Sequence, residues 1–488
     1  MTWLDGSQYI LTRFCFQRAL AFVYFIGFLI LVNQGLPLLG AQGLLPFKNF
    51  LKRVRFWDSP SLFFAVGSSD RAFRALAWLG LGLSVVALTG VSDSHGMAVS
   101  TLVWLSLWVL YLSFVNIGQT FYGFGWETLL LETAFLAIFL GSNDSEPPVA
   151  VFWLLRWVLF RVMFGAGLIK LRGDPCWRDL TCMNYHYETQ PIPNPLSYYL
   201  HRLPEKVHKF SVLFTHFVEL IVPFGLFGPG AVRWVAGGLT LFFQLSLILS
   251  GNLSWLNYIT LVLTIACFDD RLLGYIFSFH HAVPATMGWV HVGVLGALGV
   301  LIFMLSIKPT INLFSRRQIM NTSFEPLHLV NTYGAFGSIT RDRMELVIEG
   351  TSDSVATPQT RWLEYEFKAK PGNPARRLPI VSPYHYRLDW QMWFAAMSGY
   401  ENHPWILNLL AKLLRGDARV LGLMAHNPFP NSPPRLVRVR RYYYCFTELG
   451  DKSGHPWQRA LVGEYLRPLS LHDQNFLAVL RDMQWLEA

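Results

Sequence analysis

The chain has 488 residues, of which 52% are hydrophobic and only 15% charged. A soluble domain carries about 25% charged residues, so lipid is the expected solvent for much of this chain, whose mean hydropathy is +0.33. The net charge of +9 is spread over short runs with no long basic stripe, which argues against a nucleic-acid partner and for loops beside lipid headgroups.

Residues 14–32 form the first apolar segment, with Arg18 near its start; about 20 such residues cross a bilayer. No small-residue cleavage site is evident, so it does not read as a cleaved signal. Residues 42–74 follow as a mixed loop with Lys48, Lys52, Arg53 and Arg55. Phe56, Trp57, Leu62, Phe63 and Phe64 suit either a headgroup-level segment or a plain solvated loop. Further apolar segments at 75–91, 97–117, 124–140, 149–169, 210–227, 234–250, 255–268 and 283–307 make nine spans. The count becomes eight if the short 255–268 segment is re-entrant.

Charges inside these segments need partners, because an unpaired one at the bilayer centre costs about 3 kcal/mol. Glu127 and Glu132 lie in the fourth segment, Arg156 and Arg161 in the fifth and Glu219 in the sixth, with Arg18 and Lys170 as further cations. Pairing between the fourth and fifth segments is expected. Glu127 and Glu132 lie about 140° apart around a helix, so they cannot share one partner. They either tie helices together or line a polar cavity that carries chemistry.

Residues 170–204 (KLRGDPCWRDLTCMNYHYETQPIPNPLSYYLHRLP) begin a polar, aromatic loop that extends to 209. Its backbone would go unpaired in lipid, so a water-facing surface is expected. Pro191, Pro193 and Pro195 favour an extended path. His186 and Glu188 flank Tyr187 and suit either acid/base chemistry or bracing of the loop. Cys176 and Cys182, six positions apart, could form a disulfide, remain two thiols or serve redox chemistry. Cys15 and Cys267 read as packing residues. The cysteines and His186 lack zinc-site spacing, so no metal is expected.

The composition changes at residue 308. Residues 1–308 read as a polytopic α-helical membrane domain and 309–488 as a small soluble α+β domain rich in strands. Residues 362–370 (WLEYEFKAK) alternate like a half-buried strand. Residues 343–349 and 436–446 are further strand candidates, and 388–397 and 405–414 read as helices. Tyr384, His385 and Tyr386 repeat the YHY tripeptide of the loop, and the two could meet on one face. No nucleophile elbow, phosphate loop or dinucleotide fingerprint is present, so no cofactor is indicated. Sequons at Asn143, Asn252 and Asn321 carry no weight alone. With nine spans, the 42–74 loop, the 170–204 loop and the tail share one face and the N-terminus takes the other. Their basic charge would make that face cytoplasmic.

The run GAGLIKLRGDPCWRDLTCMNYHYETQPIPNPLSYYLHRLP resembles the signature of the lipase maturation factor family. So do ALAFVYFIGFL, FGWETLLLETAFLAIFL, FVELIVPF, SGNLSWLN, ACFDD, NTYGAFGSITRDRMELVIEG and SPYHYRLDWQMWFAA, collinear along nearly the whole chain. The resemblance implies a multi-pass protein of the endoplasmic reticulum membrane that helps dimeric lipases, such as lipoprotein lipase, fold in the lumen. It implies a chaperone-like factor rather than an enzyme, with membrane lipids and lipase clients as partners. Clients would meet the tail, around Tyr384, His385, Tyr386, Arg387, Asp389 and Trp390. The family places the tail outside the cytoplasm, against the charge rule; long domains translocate largely regardless of charge. Without a long N-terminal extension or a retention tail, a bacterial inner-membrane member is the other reading. Residues 164–171 with Asp174 and Trp177 are also similar to the vitamin K-dependent gamma-glutamyl carboxylase, whose matching lysine deprotonates vitamin K hydroquinone. That similarity implies Lys170 as a base acting on a lipid-soluble substrate, in a cavity with Glu127, Glu132 and His186. A lysine that snorkels to the headgroups is the alternative.

Overall fold

The computed structural model describes residues 6–276 and 288–486. Nine principal helices build its first part: α1 (Ile10–Leu39), α2 (Asp70–Thr89), α3 (Met97–Ile117), α4 (Gly125–Ala137), α5 (Val149–Arg172), α6 (Glu205–Gly225), α7 (Gly230–Ser250), α8 (Leu256–Ile265) and α9 (Trp289–Phe314). Among the described residues, seven helices are long and apolar enough to cross a membrane. The other two, α4 and α8, have 13 and 10 residues. The expected start of the ninth span, residues 283–287, lies outside the described residues.

Contacts at their ends show that α4 and α8 also run the depth of the bundle. Thr120, just before α4, meets Gln391 of the tail, and the Ser145 carbonyl beyond α4 accepts from Arg13 at 2.8 Å. Asn252, before α8, donates to the Pro379 carbonyl at 2.9 Å, and the Phe268 carbonyl beyond α8 accepts from Thr12 at 2.9 Å. Arg13 and Thr12 begin α1, whose far end reaches the tail through Gln34. The 255–268 segment therefore traverses and is not re-entrant. Both helices can be short because they are clad in protein rather than lipid: all of α4 is buried except Phe135. By contrast α9 turns Val300, Phe303, Met304, Ile307 and Ile311 outward, an apolar face suited to lipid.

In α6 the helix widens to a π turn at Phe217–Ile221. Pro223 has no N–H to give the Glu219 carbonyl, so the regular ladder fails there. The widened turn places the Glu219 side chain inside the bundle.

The tail holds a sheet of order β2-β1-β5-β6 and a second pair β3-β4. The strands are β1 (Arg343–Thr351), β2 (Leu363–Glu364), β3 (Glu366–Phe367), β4 (Met424–His426), β5 (Leu436–Phe446) and β6 (Trp457–Leu469). β1 and β5 pair antiparallel from Arg343↔Tyr444 to Thr351↔Leu436. Residues 362–370 keep their alternation, with Tyr365, Phe367 and Ala369 buried, but the strand is divided: Glu364 pairs with Glu349 and Phe367 with Met424. Helices α10 (Arg387–Ala395), α11 (Trp405–Leu414) and α12 (Gln474–Asp482) complete the tail.

The two parts share one continuous hydrophobic core. The 42–74 loop meets the tail where Asn408 donates to the Leu44 carbonyl at 2.8 Å. The 170–209 loop is no open water-facing surface. It folds into the short helices Pro175–Arg178, Met183–Thr189 and Pro195–Leu200, and much of it is buried beneath the tail. Its backbone stays satisfied because tail side chains supply the donors, as described next.

Candidate functional site

Some of the buried charges of the bundle lie at its seam with the tail, while the pairs Arg18–Asp93 and Arg233–Asp269 lie toward its other end. Glu132 on α4 pairs with Arg161 on α5, as the charge inventory requires. The same carboxylate accepts from the Asn331 N–H at 3.0 Å and the Tyr333 hydroxyl at 2.6 Å, both from the segment leading into the tail. Glu127, one and a half turns earlier, faces elsewhere and, among the described residues, has no cationic partner on a neighbouring span. It accepts from Arg387 of α10 at 2.8 Å and from Tyr111 at 2.5 Å. The Arg387 guanidinium lies 3.5 Å from the Tyr122 ring centroid. Arg156 serves packing instead, donating to the Ala266 carbonyl and the Tyr9 hydroxyl.

Arg343, at the start of β1, takes the place of water for the loop backbone. It donates to the carbonyls of Glu188 at 2.8 Å, Gln190 at 2.5 Å and Pro191 at 3.0 Å, and pairs with Glu345 at 2.6 Å. Glu188 returns the contact by accepting from the Phe446 N–H at 2.6 Å. Burial pushes the Glu188 carboxyl upward against that hydrogen bond. Asp174 is clamped by Arg341 at 2.7 Å, which holds its carboxyl well below the usual range. Cys176 and Cys182 are joined as a disulfide that closes the turn between them.

Where loop, helices and tail meet, they enclose a cavity of about 420 Å³. Val162, Met163 and Phe243 come from the helices, Trp177 and His186 from the loop, and Trp390 and Phe394 from the tail. Lys170 does not snorkel: its Nζ lies 2.5 and 2.7 Å from the two carboxylate oxygens of Glu219, and both residues line the cavity. Burial, then the nearby Lys170, push the His186 imidazole down to about 4, so the ring is neutral at ordinary pH. Glu127 and Glu132 lie outside the cavity lining, which corrects the four-residue cavity inferred from the sequence. An amine held by both oxygens of a buried carboxylate is a fixed ion-pair partner rather than a free base, so the geometry lends the carboxylase-like alternative no support.

The residues inferred to bind clients sit mostly inside the seam. His385, Arg387, Asp389 and Trp390 are buried, while Tyr384 and Tyr386 are half-buried. Asp389 caps the N–H groups of Ala369 and Lys370 at 2.6 and 2.9 Å. His385 is ringed by Phe124, Trp126, Trp255 and Trp390, with centroids 4.8 to 5.9 Å away. The loop's His186 packs instead on Phe336, so the two YHY tripeptides do not meet through their histidines. These tail residues are hidden because they hold the tail to the helices. Arg343, Asn331 and Tyr333 escaped notice in the sequence. The two-residue spacing of Arg343 and Glu345, which puts opposite charges on one face of a strand, is the signal that could have found the pair.

Comparison with known proteins matches both parts. Residues 11–275 match the lipase maturation factor transmembrane domain, and residues 329–467 match the lipase maturation factor C-terminal domain. Lipase maturation factor 1 of Bos taurus is 46% identical over 96% of this chain and 91% of its own length. Lipase maturation factor 1 of Homo sapiens is 45% identical over 99% and 91%, and lipase maturation factor 2 of Homo sapiens is 30% identical over 98% and 85%. No solved structure matches. With both domains and the seam between them inside these matches, this multi-pass membrane protein belongs to the lipase maturation factor family.

Proposed function

We propose that this chain is a membrane-embedded maturation factor that assists the folding and assembly of dimeric lipases, lipoprotein lipase among them. The observation that carries this reading is the relatedness to proteins named lipase maturation factor 1, which spans 96% of the chain and so includes helices, seam and tail together. The tail is anchored by its inner side and keeps its outer side for a client. Its β6 strand is the last of its sheet and exposes Leu461 and Val462. Such an edge can take up an extended segment of an unfinished chain by strand addition. The disulfide Cys176–Cys182 lies on the tail's face of the bundle. Disulfides persist in oxidising compartments, which favours the lumen of the endoplasmic reticulum, or the periplasm for a bacterial chain, over the cytoplasm.

The test is co-expression with lipoprotein lipase in cells lacking their own maturation factor, read as secreted lipase activity. The wild-type chain restores activity. Leu461→Lys combined with Val462→Asp inserts and accumulates normally but restores at least fivefold less. Failure of the wild-type chain to restore any activity overturns the role, and full activity of the double variant overturns the β6 contact. Deleting the tail is a poorer test, because it strips Glu127 of Arg387 and disturbs the bundle itself.

A further inference from the structure

The cavity at the seam holds two polar groups that its own walls leave unanswered. Gln244 on α7 and Asn257 on α8 both line it, and each is only 4% exposed. Among the described residues, the Gln244 Oε1 and the Asn257 Nδ2 have no hydrogen-bond partner. The Gln244 Nε2 reaches only the Met163 sulfur, at 3.4 Å. A buried amide atom without a partner forfeits its hydration with nothing in return, so two of them in one largely apolar chamber point to an occupant that answers both. Beside the Lys170–Glu219 pair, His186 and a few small polar side chains, most of the lining is apolar and aromatic, including Leu129, Val162, Phe243, Leu247 and Leu256.

We propose that this cavity binds one single-chain neutral amphiphile, an apolar body ending in a hydroxyl or ester head. The head would donate to the Gln244 carbonyl oxygen and accept from the Asn257 amide. Neutrality follows from the charges present. Lys170 and Glu219 already satisfy each other, and His186 is an uncharged ring, so an ionic head would have to break the ion pair to be matched. Size follows from the volume: about 420 Å³ lies in the range of small-molecule sites and holds one acyl chain rather than the two of a phospholipid. The occupant touches helices and tail together, so its binding stabilises the docked tail by linkage. The proposal does not rest on the lipase reading, because its assay contains no lipase.

Trp126, Trp177, Trp390 and Trp393 line the cavity and report on occupancy. The full-length protein in phospholipid nanodiscs is titrated with a monoacylglycerol brominated at mid-chain, which quenches nearby indoles. The expected result is saturable quenching and a rise of several degrees in the thermal midpoint. Gln244→Leu and Asn257→Leu each weaken binding about three- to tenfold, the loss of one net hydrogen bond. Both variants unfold without probe at or above the wild-type temperature, since each removes an unanswered polar atom. Ala166→Phe, which fills the chamber, abolishes saturable quenching. Linear, non-saturating quenching of the wild type overturns the proposal, as does wild-type affinity in all three variants. Equal binding of the brominated fatty acid anion, or of the brominated hydrocarbon, overturns the neutral hydrogen-bonding head.

Discussion

Arg387 and Glu127 meet at 2.8 Å across 260 positions of sequence, each fully buried, one in the tail and the other in a membrane helix. Neither can be satisfied within its own part. Among the described residues, the helices leave the Glu127 carboxylate one cation short, and Arg387 has no carboxylate partner within the tail. The pair therefore makes docking of the tail a condition of a satisfied bundle.

Removing one side of such a pair leaves a buried charge and costs about 3–5 kcal/mol, whereas removing both costs far less. Arg387→Met should lower the thermal midpoint of the purified protein markedly and open the tail to protease. Adding Glu127→Gln should recover at least half of the loss. Equal damage in the single and double variants would show that the pair does not couple the two parts.

The seam also depends on close backbone approach. A β-carbon added at Gly173 would lie 2.2 Å from the Gly337 carbonyl oxygen, so Gly173→Ala must push the tail segment off the end of α5. Cleavage of residues 315–342 under limited proteolysis should accelerate by about tenfold, with membrane insertion unchanged. Gly238→Ala, which meets nothing within 4 Å, is the control and should behave as wild type.

Acid should loosen the protein through histidines rather than carboxylates first. His186 and His328 are held near 4 by burial, and His385 is held well below its usual value. The unfolded rings titrate at about 6.5, so between about pH 6.5 and 4 the unfolded chain binds more protons. Stability is therefore full above about pH 6.5 and falls as the pH drops toward 4, by up to about 1.4 kcal/mol per pH unit for each ring. His385→Phe keeps the aromatic packing and removes one titrating ring. Its thermal midpoint should exceed that of the wild type at about pH 5 by more than at about pH 7.5. An equal difference at both would contradict this linkage.

The Cys176–Cys182 bond closes a short turn against Trp177, Met183 and Tyr187. Its loss through Cys176→Ser with Cys182→Ser should cost about 2 kcal/mol. Lipase secretion should then fall only in proportion to the amount of folded factor. A variant that accumulates normally yet yields no active lipase would instead indicate thiol chemistry on the client.

Much of this architecture is legible from composition. Apolar length located the helices, and the five-residue spacing of Glu127 and Glu132 required two separate partners, which turned out to be Arg387 and Arg161. Periodicity located β5, which pairs with β1 along most of its length, and α11, which is one unbroken helix. It missed β6, where Gly463, Pro468 and a mixed burial pattern blur the alternation of a bulged edge strand. The partners of buried charges were not legible where they lie far off in sequence. Arg387 reads as a client contact and Arg343 only as the start of a strand, yet both are buried where the tail folds back over the loop and helices. For the same reason the loop read as water-facing, since nothing local says that Arg343 answers its carbonyls.

Sidedness is the most direct test. Trp57, in the first loop, and Ile380, in the tail, are 80% and 81% exposed, and Asn143, beyond α4, is exposed at the opposite end of the bundle. Single cysteines at these three positions, with Cys15 and Cys445 changed to Ser, can be labelled in sealed vesicles with a maleimide that does not cross lipid. Nine traversing helices require Trp57→Cys and Ile380→Cys to label together and Asn143→Cys to label only after the vesicles are opened, or the reverse in vesicles of opposite orientation. Labelling of Trp57→Cys without Ile380→Cys, or of all three together in sealed vesicles, would contradict the shared face on which the tail, the seam and its cavity depend.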